Sequence, residues 1–136
     1  MNLDKLVPQK INFNKSISNH QNLLYANILD SNVLVIGGAG TIGSSYIKQI
    51  LKYKPSKITV VDINENGLTE LTRDLRSSNL LDYKPEYITY PVNLLSDTFD
   101  KIFNSCSWQV VANFSAHKHV RSEKDQISVE ALIKNN

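Results

Sequence analysis

Residues 33–43, Val33-Leu34-Val35-Ile36-Gly37-Gly38-Ala39-Gly40-Thr41-Ile42-Gly43, decide how this chain folds. Four apolar residues in a row, without polar alternation, suit a strand covered on both faces, as in parallel sheets. The glycines close that strand. Beyond them Ile42, Tyr46, Ile47, Ile50 and Leu51 recur at helical spacing until Lys54-Pro55, where proline stops the helix. The glycines fit GxGxxG through Gly38, Gly40 and Gly43, and GxxGxxG through Gly37, Gly40 and Gly43. Either spelling serves one need: a tight turn, close approach of backbone to a pyrophosphate, and tight packing of helix on strand. Thr41, Ile42 and Gly43 stand where the free amides of the positive helix end would hold the anion. A merely flexible loop is the alternative, but strand, turn, helix and second strand follow in the order a phosphate-binding turn requires.

Outward from this stretch the alternation continues. Ile58 to Val61 is a β-branched run ending in Asp62, and Leu68, Leu71 and Leu75 mark the buried stripe of the next helix. Tyr87 to Val92 predicts a third strand with Pro91 near its end, and Ser96 an N-cap for a helix turning Phe99, Ile102 and Phe103 inward. Val110 to Phe114 predicts a fourth strand, and a last helix carries Ile127, Ala131 and Leu132. Strands alternating with helices imply right-handed βαβ units: an α/β, Rossmann-like parallel sheet of about four strands with flanking helices. Toward the N-terminus, residues 1–30 predict a polar arm followed by a short helix from about Ser18 to Leu29, and residues 31–136 the dinucleotide-binding domain.

Composition narrows the function. The chain has 136 residues, 41% hydrophobic, with 15 basic and 13 acidic residues and a net charge of +2. That is enough for one core, with no polybasic surface for nucleic acid. The single cysteine, Cys106, suits a reducing compartment and reads as a small buried hydrophobe. No apolar run approaches the roughly 18 residues of a membrane span, and residues 1–22 lack a signal peptide's apolar stretch, so a cytoplasmic location is expected.

Asp62 follows the glycines by about 20 residues, the spacing at which a carboxylate accepts hydrogen bonds from an adenosine ribose. Its competing role is helix capping, which Asn64 supplies equally well. No Arg or Lys immediately follows Asp62 to meet a 2′-phosphate, so NAD is favoured over NADP; Arg73 and Arg76 read as solvated charges. Asn93 stands after the third strand, where a polar residue could reach the adenine or simply build a turn. His117 and His119 lack a third ligand at suitable spacing, so no metal is expected. Tyr53-Lys54-Pro55-Ser56-Lys57 spells Tyr-x-x-x-Lys, but Pro55 breaks the helix that would align the two side chains, and the segment enters a strand instead of leaving one.

Two stretches together, Val33 to Gly43 and Asn113 to Asp125 (NFSAHKHVRSEKD), resemble the extended short-chain dehydrogenase/reductases. Within that group they are most similar to the CapD-like nucleotide-sugar dehydratases of polysaccharide biosynthesis, which include UDP-N-acetylglucosamine 4,6-dehydratases; Val60 to Arg76 is similar too. The resemblance implies that Gly37, Gly40 and Gly43 hold the pyrophosphate, Asp62 the ribose and Asn93 the adenine edge. It further implies that Ser115 and Ala116 line the nicotinamide side and that Lys118, His119 and Asn136 face a nucleotide-sugar substrate. From their place after the fourth strand, Lys118 and Arg121 read either as a site for its diphosphate or as the solvated charges of a helix start. Ile36 stands where the family has Thr, Asn93 where it has Asp, and Gln126 where it has Pro. The family's acid/base residues, an Asp-Lys pair and a Tyr-x-x-x-Lys element, follow a fifth strand beyond Asn136. The expectation is therefore a cofactor-binding portion that is inactive alone, with a non-catalytic nucleotide-binding or regulatory module as the alternative. An unpaired sheet edge would favour self-association.

Overall fold

The computed structural model describes residues 13–116 and 125–135. Four parallel strands, β1 (Asn32–Ile36), β2 (Lys57–Val61), β3 (Glu86–Tyr90) and β4 (Val110–Asn113), form a sheet in the order β3-β2-β1-β4. The chain winds outward from β1 in both directions, so the strand order reverses beside it. The register sets Ile36 against both Val61 and Asn113, which brings three strand ends level.

Helices α3 (Thr41–Ile50) and α4 (Glu65–Ser77) cover one face and α5 (Asp97–Phe103) the other. The apolar run of β1 serves both: Val33 and Val35 pack with Ile47, Ile50, Leu68, Leu71 and Leu75, while Leu34 and Ile36 pack with Phe99 and Ile102. That two-sided burial is why β1 has no polar alternation. Helix starts follow their caps: Asn64 accepts the Gly67 N–H at 3.0 Å, and Ser96 Oγ accepts that of Phe99 at 3.2 Å. α3 runs into a 3₁₀ turn, Leu51–Tyr53, and ends at Lys54 with a left-handed φ of 55°, just before Pro55.

The structure departs from the sequence expectations at the margins. The single helix of Ser18–Leu29 is two, α1 (Phe13–Asn19) and α2 (Gln21–Ile28), because His20 leaves helical geometry and its Nδ1 pairs with the Ser16 carbonyl at 2.8 Å. β3 stops at Tyr90, since Pro91 has no N–H to continue the ladder. β4 ends at Asn113, although Phe114 N–H still donates to the Ile36 carbonyl at 2.8 Å. Phe103 and Ile127 are exposed, the first because it lies at the end of the short α5. Cys106 is half-buried, on the surface segment that leads into β4. α6 (Gln126–Asn135) begins without the family's proline; Asp125 caps it by accepting the Ile127 and Ser128 N–H groups, each at 2.9 Å. Those hydrogen bonds, from Ser128 first, hold the Asp125 carboxyl below its ordinary value.

The two sheet edges differ. β3 has Pro85 and Pro91 at its ends and Glu86 paired with Lys57 at 3.1 Å, devices that blunt an edge, whereas β4 is uncharged and has Val111 half exposed. Beneath α5's face, Thr59 is 1% exposed and its Oγ1 has no partner among the described residues. Replacing a buried hydroxyl that makes no hydrogen bond by a methyl of the same shape removes a desolvation cost. Thr59→Val is therefore expected to raise stability by about 1 kcal/mol, read as a higher urea midpoint; a lower midpoint would reveal a hidden partner.

Candidate functional site

A cleft of about 600 Å³ opens over the carboxyl ends of the strands, where the strand order reverses. Open parallel sheets place their ligands there, because the chains leaving neighbouring strands diverge and leave a crevice. A smaller hollow of about 360 Å³, beside Arg76 and Tyr87, lies away from the glycine turn.

The glycines divide the work of the turn. Gly37 has φ +73°, and a β-carbon on it would meet the Ser115 nitrogen at 2.5 Å. On Gly38 it would meet Val60 Cγ1 at 2.2 Å, and on Gly43 the Gly37 carbonyl oxygen at 2.3 Å. These three are glycine because protein fills the space. Gly40 differs: a β-carbon there meets only the Gly37 oxygen, at an ordinary 3.5 Å, and the residue lines the cleft. Gly40 is also the N-cap of α3, which no side chain caps. The helix therefore presents its first N–H groups, from Thr41 onward, with their partial positive charge. Ile42, on the first turn, is exposed.

Asp62 lines the cleft at the end of β2. One of its oxygens accepts the Ala39 N–H and the other the Asn64 N–H, each at 2.9 Å. The carboxylate thus pins the glycine turn to the exit of β2, and each oxygen keeps a further lone pair. Helix capping falls to Asn64 instead. Asn93 lines the cleft after β3, with its Oδ1 accepting the Leu95 N–H at 2.9 Å and its amide NH₂ left as a donor group. Asn113 Oδ1 accepts both the N–H and the hydroxyl of Ser115, fixing the chain as it leaves β4, and Ser115 and Ala116 border the cleft.

The structure thus brings Gly37, Gly40, Asp62, Asn93, Ser115 and Ala116 around one cleft, and sets Gly38 and Gly43 behind the turn. Lys118, His119 and Asn136, with His117 and Arg121, lie outside the described residues. Tyr53 and Lys57 fall at the opposite end of the sheet, the tyrosine against Tyr25 and the lysine paired with Glu86. Sequence reasoning missed Ile63 and Leu95, 76% and 84% exposed, which flank the cleft after β2 and β3. Their signal is a bulky apolar side chain placed directly after a strand, where turn chemistry favours polar residues. It also missed Lys134, which reaches the cleft from α6. Among the described residues no three His, Cys, Asp or Glu side chains gather as metal ligands, and no helix is long and apolar enough to cross a membrane.

Sheet order, glycine turn and cleft define a doubly wound, Rossmann-like α/β protein. The chain belongs to the polysaccharide biosynthesis protein family, whose signature matches residues 33–136. It is 26% identical over 105 residues to the capsular polysaccharide biosynthesis protein CapD of Staphylococcus aureus, across 72% of this chain and 16% of that protein. Among solved structures it is similar to Pen from Bacillus thuringiensis, with 28% identity and a TM-score of 0.54, covering 68% of this chain and 27% of that one. A Haemophilus influenza protein described as a D-mannonate oxidoreductase, with bound NAD, shares the fold with 14% identity and a TM-score of 0.59, covering 84% of this chain and 48% of that one. The chain thus spans about a sixth of CapD's length.

Proposed function

We propose that this chain is the NAD(P)-binding portion of a nucleotide-sugar 4,6-dehydratase or related epimerase of polysaccharide biosynthesis. The observation that carries the reading is Gly40: of the four glycines of the turn, it alone has open space where a side chain would stand, and that space belongs to the cleft. A missing side chain that no protein atom replaces leaves room for a ligand's phosphates.

Gly37 and Gly43 shape the turn, and the N–H groups of Thr41, Ile42 and Gly43 hold the pyrophosphate. The spare lone pairs of Asp62 receive the adenosine ribose. Ile63 and Leu95 flank the adenine, with the Asn93 amide at its edge. Ser115 and Ala116 border the nicotinamide, and Lys118, His119 and Asn136 are the residues assigned to the nucleotide sugar. When bound, the cofactor would supply the hydride acceptor and donor that a 4,6-dehydration of the sugar requires. The protein's part in this portion is to bind and orient. NAD is favoured because Ile63, an apolar residue, follows Asp62 where a 2′-phosphate would need a cation.

The cofactor reading is tested by calorimetric titration of the chain with NAD and NADP, with NAD expected to bind more tightly. Absence of heat with either at millimolar concentration overturns it. The second reading is a non-catalytic nucleotide-binding module, for which the glycine turn and the Asp62 carboxylate beside the cleft suffice. Calorimetric titration of the NAD-loaded chain with UDP-N-acetylglucosamine separates the two: binding is expected of a dehydratase portion and none of a module that takes the dinucleotide alone.

A further inference from the structure

Among the described residues lining the cleft, Lys134 is the one cation and Asp62 the one acid. The acid is already engaged, since both its oxygens accept backbone N–H groups. Among the described residues the cation is held by Glu130, four residues earlier on α6, in a pair whose side chains are 73% and 59% exposed. Exposed pairs of this kind are weak, and a competing anion exchanges with them readily. The glycine turn offers a diphosphate N–H donors and a helix end, which together amount to a fraction of one charge. A dinucleotide's diphosphate brings a full negative charge on each phosphate, so the turn alone leaves it under-neutralised.

Resting on the reading that this cleft takes a dinucleotide, we infer that Lys134 supplies the neutralising charge, leaving Glu130 for an oxygen of the cofactor's diphosphate. α6 is then part of the cofactor site, and Glu130 competes with the diphosphate for Lys134.

Titration of the whole chain with NAD and with NADP at low and high salt, in Lys134→Gln and Glu130→Gln variants, tests this. Lys134→Gln is expected to weaken both cofactors alike, by roughly fivefold to tenfold at low salt, and to flatten the salt dependence. Glu130→Gln, which breaks the same helix pair, is expected to tighten binding. If the two variants moved affinity in the same direction, the effect would belong to the stability of α6 and the inference would fall. Parent-like affinity and salt dependence in Lys134→Gln also overturn it, as does a loss confined to NADP, which would put the lysine at the 2′-phosphate. A parent chain that binds neither cofactor brings down the cofactor reading, and this one with it.

Discussion

Gly40→Val is expected to fold like the parent and to bind NAD at least about a hundredfold more weakly. The backbone of Gly40, at φ −74° and ψ 167°, is extended and open to any residue, and the position a β-carbon would take is clear of protein apart from an ordinary contact. Losing a glycine at an N-cap and reducing the freedom of the unfolded chain act in opposite directions, so stability should stay within about 1 kcal/mol of the parent. The branched side chain instead occupies space in the cleft. Calorimetry and a urea transition on the same sample check both halves. If the variant binds NAD as the parent does, the diphosphate does not pass over Gly40. If it binds poorly and has also unfolded, the space beside Gly40 is not open.

Much of this was legible in the sequence, for reasons that differ from element to element. β1 could be read because four apolar residues with no alternation have few uses other than a strand buried on both faces, and Leu68, Leu71 and Leu75 because only a helix gives that spacing one buried side. The caps at Asn64 and Ser96 are local, each a side chain meeting an N–H three residues on, so a short window contains the whole interaction. The interactions that set the site are longer in range. Asp62 holds the Ala39 N–H across 23 residues of chain, and spacing alone could propose a ribose contact without revealing that the same carboxylate fastens the turn. The division of labour among the glycines was equally hidden. Their spacing is that of a phosphate-binding turn, but which of them faces protein and which faces the cleft depends on Val60 of β2 and on Phe114 and Ser115 at the exit of β4. The break at His20 was missed because the apolar pattern of Leu23, Leu24 and Ile28 says nothing of where a helix starts. Ile63 and Leu95 were missed because periodicity assigns exposed apolar residues to no element.

Gly37→Ala is the substitution expected to damage the fold most, and the reason lies in what its neighbours are. At φ +73° a side chain is strained whatever surrounds it, at a cost of about 1–3 kcal/mol. A β-carbon there would also lie 2.5 Å from the Ser115 nitrogen, 2.7 Å from the Phe114 carbonyl carbon and 2.9 Å from the Ser115 α-carbon. All three are backbone atoms, so no side chain can turn aside. Relief requires moving the exit of β4, yet Phe114 N–H is bonded to the Ile36 carbonyl and Gly37 N–H to that of Val61, each at 2.8 Å. Overpacking of this kind adds about 1–3 kcal/mol, and the sum is a large part of the roughly 5–15 kcal/mol that holds a domain together. Urea denaturation followed by far-ultraviolet circular dichroism should show the midpoint collapse. Because the obstruction is backbone, adding Ser115→Gly should not restore it. Recovery in that double variant would locate the conflict in the serine side chain, and an unchanged midpoint in Gly37→Ala would mean that β4 does not leave the sheet against the glycine turn.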